Sequence, residues 1–282
     1  MSNKIIGVVG AGTMGNGIAQ VAAAAGFNVV MLDVSNAALE CGLSTISKSL
    51  DRLVQKEKIS AEDRSATLGR IKTTVTYSDL SSASIVIEAA TENADIKSKI
   101  LKSIGESVGP TAVIATNTSS ISITKLASKV SNPNRFIGTH FFNPVPVMTL
   151  VELIAGLQTD GLTLDVAKDF VETIGKAAIV AKNSPGFAVN RILVPMINEA
   201  IFALQEGLAS AEDIDKGMKL GANHPIGPLA LADLIGLDTL LMVQEVLYAS
   251  FNDSKYRPAP LLQEMVDAGY LGRKSGQGFY QY

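Results

Sequence analysis

Two side chains near the middle of the chain could exchange a proton with a bound molecule. His140 follows an apolar stretch, and Glu152 lies twelve residues later, beyond a turn that contains Pro144 and Pro146. If the chain returns beside itself after this turn, the carboxylate can meet one imidazole nitrogen, fix the tautomer and stabilise the imidazolium. The other nitrogen would then serve general acid–base catalysis. The spacing fits a structural histidine with Glu152 in a surface ion pair equally well.

A glycine-rich loop near the N-terminus is typical of dinucleotide binding. Gly10, Gly12 and Gly15 form a G-x-G-x-x-G pattern, which follows a short apolar run and precedes a stretch of small residues. Between a strand and a helix, such glycines permit a tight turn, close approach of a pyrophosphate and close packing of the helix. A purely structural turn is the alternative, and the flanking elements favour the cofactor.

An acidic residue stands where such a cofactor would present its adenosine ribose. Asp33 ends the second apolar run, roughly 20 residues after the glycines. Its carboxylate can accept ribose hydroxyls and would repel a 2′-phosphate, and the next residues, Val34, Ser35 and Asn36, include no arginine. NAD is therefore favoured over NADP. Asp33 could instead be the N-cap of the following helix.

Small polar residues follow another apolar strand, from Asn117 to Ser120. At the carboxyl edge of a parallel sheet they could hydrogen-bond a substrate oxygen or the nicotinamide side of the cofactor. One of the two serines could instead cap a helix that begins near Ile121.

Three basic residues recur at every fourth position, namely Lys48, Arg52 and Lys56. On a helix they form one stripe, along which an anionic, phosphate-bearing ligand could lie. A solvated helix face is the more ordinary explanation of this spacing.

The elements that would position these residues alternate between strand and helix. Apolar runs predict strands at 4–9, 28–33, 84–88, 112–115, 135–140 and 150–154, with helices between several of them, including 16–25 and 95–107. This alternation predicts an α/β fold with a Rossmann-like, doubly wound, mostly parallel sheet.

The pattern changes near residue 183. From Ser184 to Gly269 only helical periodicity is present. A helix is predicted to start at Ser184-Pro185, and Pro195 is expected to kink it or shift its boundary. We therefore predict two domains, an NAD-binding domain over 1–183 and an all-helical second domain over 184–282.

Composition excludes several classes of protein. The 282 residues carry 24 basic and 27 acidic side chains, one cysteine and two histidines. This charge balance gives no electrostatic footprint for nucleic acid, and no apolar run reaches the roughly 18 residues of a membrane span. The short N-terminal apolar run meets glycine too early for a signal peptide. We predict a soluble, cytoplasmic protein without a metal site, in keeping with a lone cysteine that cannot form an intramolecular disulfide.

Seven stretches, in collinear order over essentially the whole chain, match one known family. They are Gly10-Ala-Gly-Thr-Met-Gly15, Glu88-Ala-Ala-Thr-Glu-Asn93, Thr116-Asn-Thr-Ser-Ser120, His140-Phe-Phe-Asn-Pro144, Pro185-Gly-Phe-Ala-Val-Asn-Arg191, the loop at His224 and Gly272-Arg-Lys-Ser-Gly-Gln-Gly278. Together they resemble the (S)-3-hydroxyacyl-CoA dehydrogenases, most closely the bacterial 3-hydroxybutyryl-CoA dehydrogenases. The resemblance implies reversible hydride transfer between NAD and an acyl-CoA substrate, with 3-hydroxybutyryl-CoA and acetoacetyl-CoA as the pair, in fatty acid or butyrate metabolism.

The resemblance also assigns roles to matching positions. His140 would be the catalytic base, paired with Glu152, and Ser119 and Asn190 would hydrogen-bond the substrate and hold the histidine. The expected NAD contacts come from the glycine loop and the sheet edge, namely Gly10, Gly12, Thr13, Met14, Gly15, Asp33, Glu92, Lys97, Asn117 and Asn143. Arg52 and Lys56 fall where the family contacts coenzyme A, and the helical domain implies a homodimer.

Two positions depart from the family pattern. Thr149 stands where relatives often carry lysine, and Ala188 replaces a bulkier residue. Neither belongs to the catalytic set, although both bear on acyl-chain preference and carrier affinity. Two other functions stay open, a dehydrogenase of the same fold that acts on a free hydroxy acid and a non-catalytic NAD-binding protein. The complete catalytic set argues against the second, because packing alone does not require it.

Overall fold

Alternating strands and helices fill the first part of the chain, and helices alone follow, within residues 4–282, the part that this computed structural model describes. The strands are β1 (Ile5–Val9), β2 (Asn28–Leu32), β3 (Ile71–Thr74), β4 (Ala83–Glu88), β5 (Val113–Thr116), β6 (Phe136–Phe141), β7 (Leu150–Ala155) and β8 (Ala177–Lys182). The helices are α1 (Thr13–Ala24), α2 (Asn36–Gln55), α3 (Ala61–Gly69), α4 (Ala94–Ser107), α5 (Ile123–Ala127), α6 (Gly161–Thr173), α7 (Val189–Gln205), α8 (Ala211–Gly221), α9 (Pro228–Ile235), α10 (Leu237–Phe251) and α11 (Pro260–Asp267).

All of these strands belong to one sheet, in the order β3-β2-β1-β4-β5-β6-β7-β8. Neighbouring strands are parallel except for β6 and β7, which pair antiparallel. The predicted Rossmann-like, mostly parallel sheet is thereby confirmed. The strand order reverses between β1 and β4, and in such sheets ligands bind outside the carboxyl ends of the strands at this switch point.

The central strands are apolar because helices cover both faces of the sheet. Ile6 and Val8 of β1 are almost fully buried and share one core cluster with Ile18 of α1. Helix α1 begins at Thr13, three residues before the predicted start, because the end of the glycine loop already forms its first turn, with Gly12 as the N-cap.

Two short elements between α2 and β4 escaped the sequence prediction. Helix α2 ends at Gln55, and after a short turn Ser60 begins α3 with a reciprocal capping box to Asp63. The edge strand β3 follows and pairs with β2. Both elements are short and only partly buried, so their apolar periodicity is weak.

The chain divides after Ser184 into two compact units, one residue beyond the predicted boundary. In the second unit, the predicted helix start at Ser184-Pro185 is wrong. Gly186 and Phe187 have φ values of 75° and 50°, a left-handed conformation that no α-helix contains, and α7 therefore begins at Val189. The helix passes through Pro195, which sets no boundary.

The second unit has its own apolar core and two buried carboxylates. Asp215 accepts the N–H groups of Leu229 and Ala230 at the start of α9, and it also accepts the Tyr280 hydroxyl. Burial and this carboxylate raise the pKa of Tyr280 well above its ordinary value. Asp233 accepts the N–H groups of residues 279 and 280 and so holds the C-terminal segment against α9.

No helix within residues 4–282 is both long and apolar enough to cross a bilayer.

Candidate active site

The glycine loop connects β1 to α1 at the carboxyl edge of the sheet. Gly10 has φ 105°, and a Cβ there would lie 2.6 Å from the Ala90 Cα. A Cβ on Gly15 would lie 1.8 Å from the Gly10 carbonyl oxygen, so any side chain would push the helix off the loop. A Cβ on Gly12 would meet no atom within 4 Å. The helix start has no side-chain cap and no acidic residue in its first turn, which fits a bound pyrophosphate.

Asp33 lies beside this loop. Its Oδ2 accepts the Ala11 N–H at 2.8 Å, while its own N–H donates to the Thr74 carbonyl at 3.2 Å. The N-cap of α2 is Ser35, whose hydroxyl accepts the Ala38 N–H, so the alternative of Asp33 as a helix cap is wrong. A carboxylate at this edge fits an adenosine ribose rather than a 2′-phosphate.

Asp33→Asn tests this assignment. We expect the Kd of NADH to rise about tenfold, because the charged acceptor is lost, while the Kd of NADPH does not rise. Asparagine still accepts the Ala11 N–H, so the loop is retained. Fluorescence titration of both cofactors measures the effect, with Asp165→Asn on α6 as the charge-matched control. An equal loss of both affinities would contradict the ribose role.

A buried ion pair lies behind the ends of β4 and β5. The Glu88 and Lys97 side chains are both fully buried, and the Lys97 Nζ donates to the Glu88 Oε2. The Thr116 hydroxyl donates to the same oxygen at 2.7 Å, and the Ala90 N–H donates to the Glu88 Oε1 at 2.9 Å. Lys97 is predicted to contact NAD, yet its side chain lies beneath the surface here.

Glu92 organises the polar loop after β5. Its Oε1 accepts the Thr118 hydroxyl at 2.7 Å, the Ser119 N–H at 2.7 Å and the Ser120 hydroxyl at 3.4 Å. The cap of α5 is Ser122, so the alternative that Ser119 or Ser120 caps this helix is wrong.

Asn117 joins this loop to the next strand. Its side-chain oxygen accepts the Phe141 N–H at 2.9 Å, directly after His140. Asn143 lies beyond the end of β6, exposed at a cis peptide bond to Pro144. The polar residues after β5 and the histidine on β6 therefore lie at one edge of the sheet.

His140 and Glu152 face each other across the antiparallel pair of β6 and β7. The His140 Nδ1 lies 2.7 Å from the Glu152 Oε2. Glu152 is fully buried and the imidazole is 6% exposed, so the alternative of a surface ion pair is wrong. The imidazole also packs against the Phe142 ring, with centroids 4.6 Å apart.

This contact determines the chemistry of the ring. A carboxylate at Nδ1 retains a proton there, which makes Nε2 the basic nitrogen of the neutral ring. A doubly protonated ring gains a charge-assisted hydrogen bond from the same carboxylate. The pair is thus suited to take up and return a proton. Within residues 4–282, no group of three or more His, Cys, Asp or Glu side chains is placed to hold a metal ion.

Negative charge at the sheet edge also acts on Tyr77. Its half-burial, with Glu88 and Asp33 nearby, raises the pKa of its phenol. Lys176, the residue before β8, donates to the Val145 and Met148 carbonyls at 2.7 and 2.5 Å, and burial lowers the pKa of this amine. These two hydrogen bonds hold the connection between β6 and β7.

The basic stripe lies on α2 and its C-cap. Arg52 is in the last turn and Lys56 is the C-cap residue, and both are exposed. Asp51 forms an ion pair with Arg64 at 2.6 Å, which balances the acidic charge beside the stripe. Asn190 belongs to the second unit, where it lies in the first turn of α7.

Glu88 is the functional candidate that the sequence prediction missed. A signal exists in retrospect, because an acidic residue ends the otherwise apolar strand Ala83–Glu88. An acid at the end of a buried strand needs a partner, and the sequence alone does not identify Lys97 as that partner.

The Rossmann-like sheet, the glycine loop with Asp33, and the His140–Glu152 pair define the class of an NAD-binding oxidoreductase. The model of the 3-hydroxyacyl-CoA dehydrogenase NAD-binding domain matches residues 5–184, and that of the 3-hydroxyacyl-CoA dehydrogenase C-terminal domain matches residues 186–282. The chain therefore belongs to the 3-hydroxyacyl-CoA dehydrogenase family, as the motifs predict, and its cofactor is NAD.

Individual relatives agree over the full length. The chain is 52% identical over 279 residues to a 3-hydroxybutyryl-CoA dehydrogenase of Bradyrhizobium diazoefficiens, which covers 99% of this chain and 95% of the relative. It is 50% identical to a probable 3-hydroxybutyryl-CoA dehydrogenase of Bacillus subtilis, covering 100% and 98%. The crystal structure of (S)-3-hydroxybutyryl-CoA dehydrogenase from Ralstonia eutropha is similar with a TM-score of 0.97 and 62% identity, covering 100% of this chain and 99% of that one.

Proposed function

We propose that the protein interconverts (S)-3-hydroxybutyryl-CoA and acetoacetyl-CoA, within fatty acid or butyrate metabolism. The observation that supports this proposal most is the buried contact between the His140 Nδ1 and the Glu152 Oε2. The pair lies at the edge of the sheet where ligands bind in doubly wound folds. The names of the relatives described above supply the substrate class.

His140 moves the proton in both directions of the proposed reaction. In oxidation its Nε2 takes the proton of the substrate 3-hydroxyl group, and in reduction the imidazolium returns a proton to the keto oxygen. Glu152 stabilises the imidazolium, and its full burial keeps water from screening this charge. Catalysis of this kind contributes about 10²- to 10⁴-fold to the rate.

Bound NAD would supply the hydride acceptor in oxidation, and NADH the hydride donor in reduction, at the substrate C3. The glycine loop and Asp33 are proposed to hold its pyrophosphate and adenosine. Glu92, Lys97, Asn117 and Asn143 are proposed to contact its nicotinamide half. Ser119 is proposed to hydrogen-bond the substrate and the histidine, so that the reacting oxygen lies at Nε2, and the role of Asn190 stays a prediction.

The coenzyme A part of the substrate is proposed to use Arg52 and Lys56. Its phosphates are anionic, and the two exposed cations lie together at the end of α2. Binding energy from a part of the substrate that does not react can orient the part that does. A free hydroxy acid has no group that reaches such a stripe.

The double variant Arg52→Gln/Lys56→Gln separates these two substrates. We expect the KM for acetoacetyl-CoA to rise about five- to thirtyfold, from roughly 0.5–1 kcal/mol for each exposed ionic contact, with kcat little changed. Steady-state kinetics measures this, and Lys99→Gln/Lys129→Gln, at two exposed lysines, is the charge-matched control. An unchanged KM would remove the stripe from the carrier site.

A direct assay tests the function as a whole. NADH oxidation is followed by absorbance with acetoacetyl-CoA and, in parallel, with free acetoacetate. Turnover with the thioester alone is expected. Comparable turnover with both would favour a dehydrogenase of free acids, and NADH binding without turnover on either would favour a non-catalytic NAD-binding protein.

We also propose that the protein is a homodimer through its second unit. Large apolar side chains are exposed in that unit, including Ile192, Leu220 and Leu234 on helices and Leu208 between α7 and α8. A second copy of the chain would cover such side chains if they form one patch. Light scattering after size exclusion would give the mass, and a monomer at micromolar concentration would contradict the proposal. The cytoplasmic location stays a prediction.

A further inference from the structure

Glu88 has no part in the proposed chemistry, although its position is unusual. It is the last residue of β4 and is fully buried. Each of its carboxylate oxygens is engaged, Oε1 by the Ala90 N–H and Oε2 by the Thr116 hydroxyl and the Lys97 ammonium. A buried carboxylate with so many donors makes a well-defined local structure.

Lys97 extends this contact towards a second acid. Its ammonium lies 3.3 Å from the Thr116 hydroxyl oxygen and 3.9 Å from the Glu92 Oε2. One cation is thus placed between two carboxylates, and its hydrogen bonds go to Glu88 and Thr116 rather than to Glu92. Because the Lys97 and Glu88 side chains are both completely buried, water does not screen their contact, whereas the Glu92 side chain is 30% exposed.

Glu92 connects Lys97 to the loop after β5, which contains Ser119. While its Oε2 faces Lys97 at long distance, its Oε1 holds the Ser119 N–H at 2.7 Å and the Thr118 hydroxyl at the same distance. The contacts therefore run from Glu88 through Lys97 to Glu92 and on to the backbone of Ser119. A change in how strongly Glu88 holds the ammonium must alter how strongly Lys97 attracts Glu92.

We infer that Glu88 is a positioning residue for the reaction, acting through Lys97 and Glu92 on the loop that carries Ser119. With Glu88 charged, Lys97 is held away from Glu92, which is left to bind the loop. Without that charge, the ammonium pairs fully with Glu92 and draws its carboxylate off the Ser119 N–H. The effect on catalysis rests on the proposed function, whereas the effect on the loop does not.

The variant Glu88→Gln tests the inference with two independent measurements. Hydrogen exchange by mass spectrometry reports on the amides of residues 117–121, and these are expected to exchange about tenfold faster or more. The kcat with acetoacetyl-CoA, measured well below the melting temperature, is expected to fall about 10- to 100-fold, since small misplacements of reacting groups have effects of that size. The Kd of NADH is expected to rise by a smaller factor than kcat falls, because Lys97 and Glu92 are proposed to contact only the nicotinamide half, while the glycine loop and Asp33 are untouched.

Asp233→Asn is the matched control, because Asp233 is also a buried carboxylate that accepts two backbone N–H groups. It should lower the melting temperature and leave both kcat and exchange at 117–121 as in the wild type. If Glu88→Gln behaves like this control, Glu88 has a structural role only and the inference is overturned.

A second variant covers the case in which Glu88→Gln does not fold. Thr116→Val retains both charges and nearly the same volume but removes the hydroxyl that bridges Glu88 and Lys97. It should speed amide exchange at residues 117–121 and lower kcat, each by a smaller factor than Glu88→Gln. If either quantity stays at its wild-type value, the inference is contradicted. If the wild type does not turn over acetoacetyl-CoA, the proposed function fails while hydrogen exchange still decides the role of Glu88.

Discussion

Replacing His140 with glutamine is expected to lower kcat about 10²- to 10⁴-fold while NADH binds with wild-type affinity. Glutamine fills a similar volume and can still hydrogen-bond to Glu152, but it cannot hold or release a proton near neutral pH. The loss should therefore be confined to turnover. Steady-state assays with acetoacetyl-CoA and fluorescence titration of NADH measure the two quantities separately.

The other histidine supplies the control. His224 lies in a loop between α8 and α9 in the second unit, and His224→Gln should retain the wild-type kcat. Near-normal turnover of His140→Gln would defeat the acid–base assignment. A parallel loss of NADH affinity would instead indicate a damaged cofactor site.

Glu152→Gln is expected to lower kcat about 10- to 100-fold. The Glu152 Oε2 lies 2.7 Å from the His140 Nδ1 in a fully buried position. The amide retains a hydrogen-bond acceptor, so only the charge is removed, and a hydrogen bond to a charged partner is worth roughly 1.5–3 kcal/mol. The imidazolium loses this stabilisation, and proton transfer slows accordingly.

The double variant His140→Gln/Glu152→Gln shows whether the pair acts as a unit. If Glu152 works only through the imidazole, the double variant should be no slower than His140→Gln alone. Losses that multiply would mean that Glu152 acts on catalysis by a separate route. Melting temperatures of all three variants exclude unfolding as the cause.

Local sequence rules predicted the elements around the cofactor loop well. The segment from β1 to Asp33 is continuous in the chain, and the glycine spacing, the apolar strands and the acidic residue each have a physical reason that needs no distant partner. The spacing of His140 and Glu152 did not decide between an acid–base pair and a surface ion pair, because only the antiparallel register of β6 and β7 buries the two side chains against each other.

The failures concern residues whose partners are distant or whose surroundings are apolar on all sides. The Lys97 side chain reads as a surface charge on α4, and only the fold brings it to Glu88. Helix α10 is rich in apolar residues on most of its faces, so it shows no clear amphipathic stripe, and its bounds were not predicted within the helical region 184–269. The predicted helix start at Ser184-Pro185 was wrong because the apolar periodicity of the sequence does not show that Gly186 and Phe187 adopt a left-handed conformation.

The antiparallel pairing of β6 with β7 has a consequence for how this protein tolerates change. Successive residues of a strand point to opposite faces, so a slip of β7 by one residue would turn the Glu152 side chain away from His140. An insertion between the two strands is therefore expected to preserve the contact of Glu152 with His140 when it leaves the register intact, and to break that contact when it shifts the register by one. The backbone ladder, rather than the length of the connection, determines whether the two side chains meet.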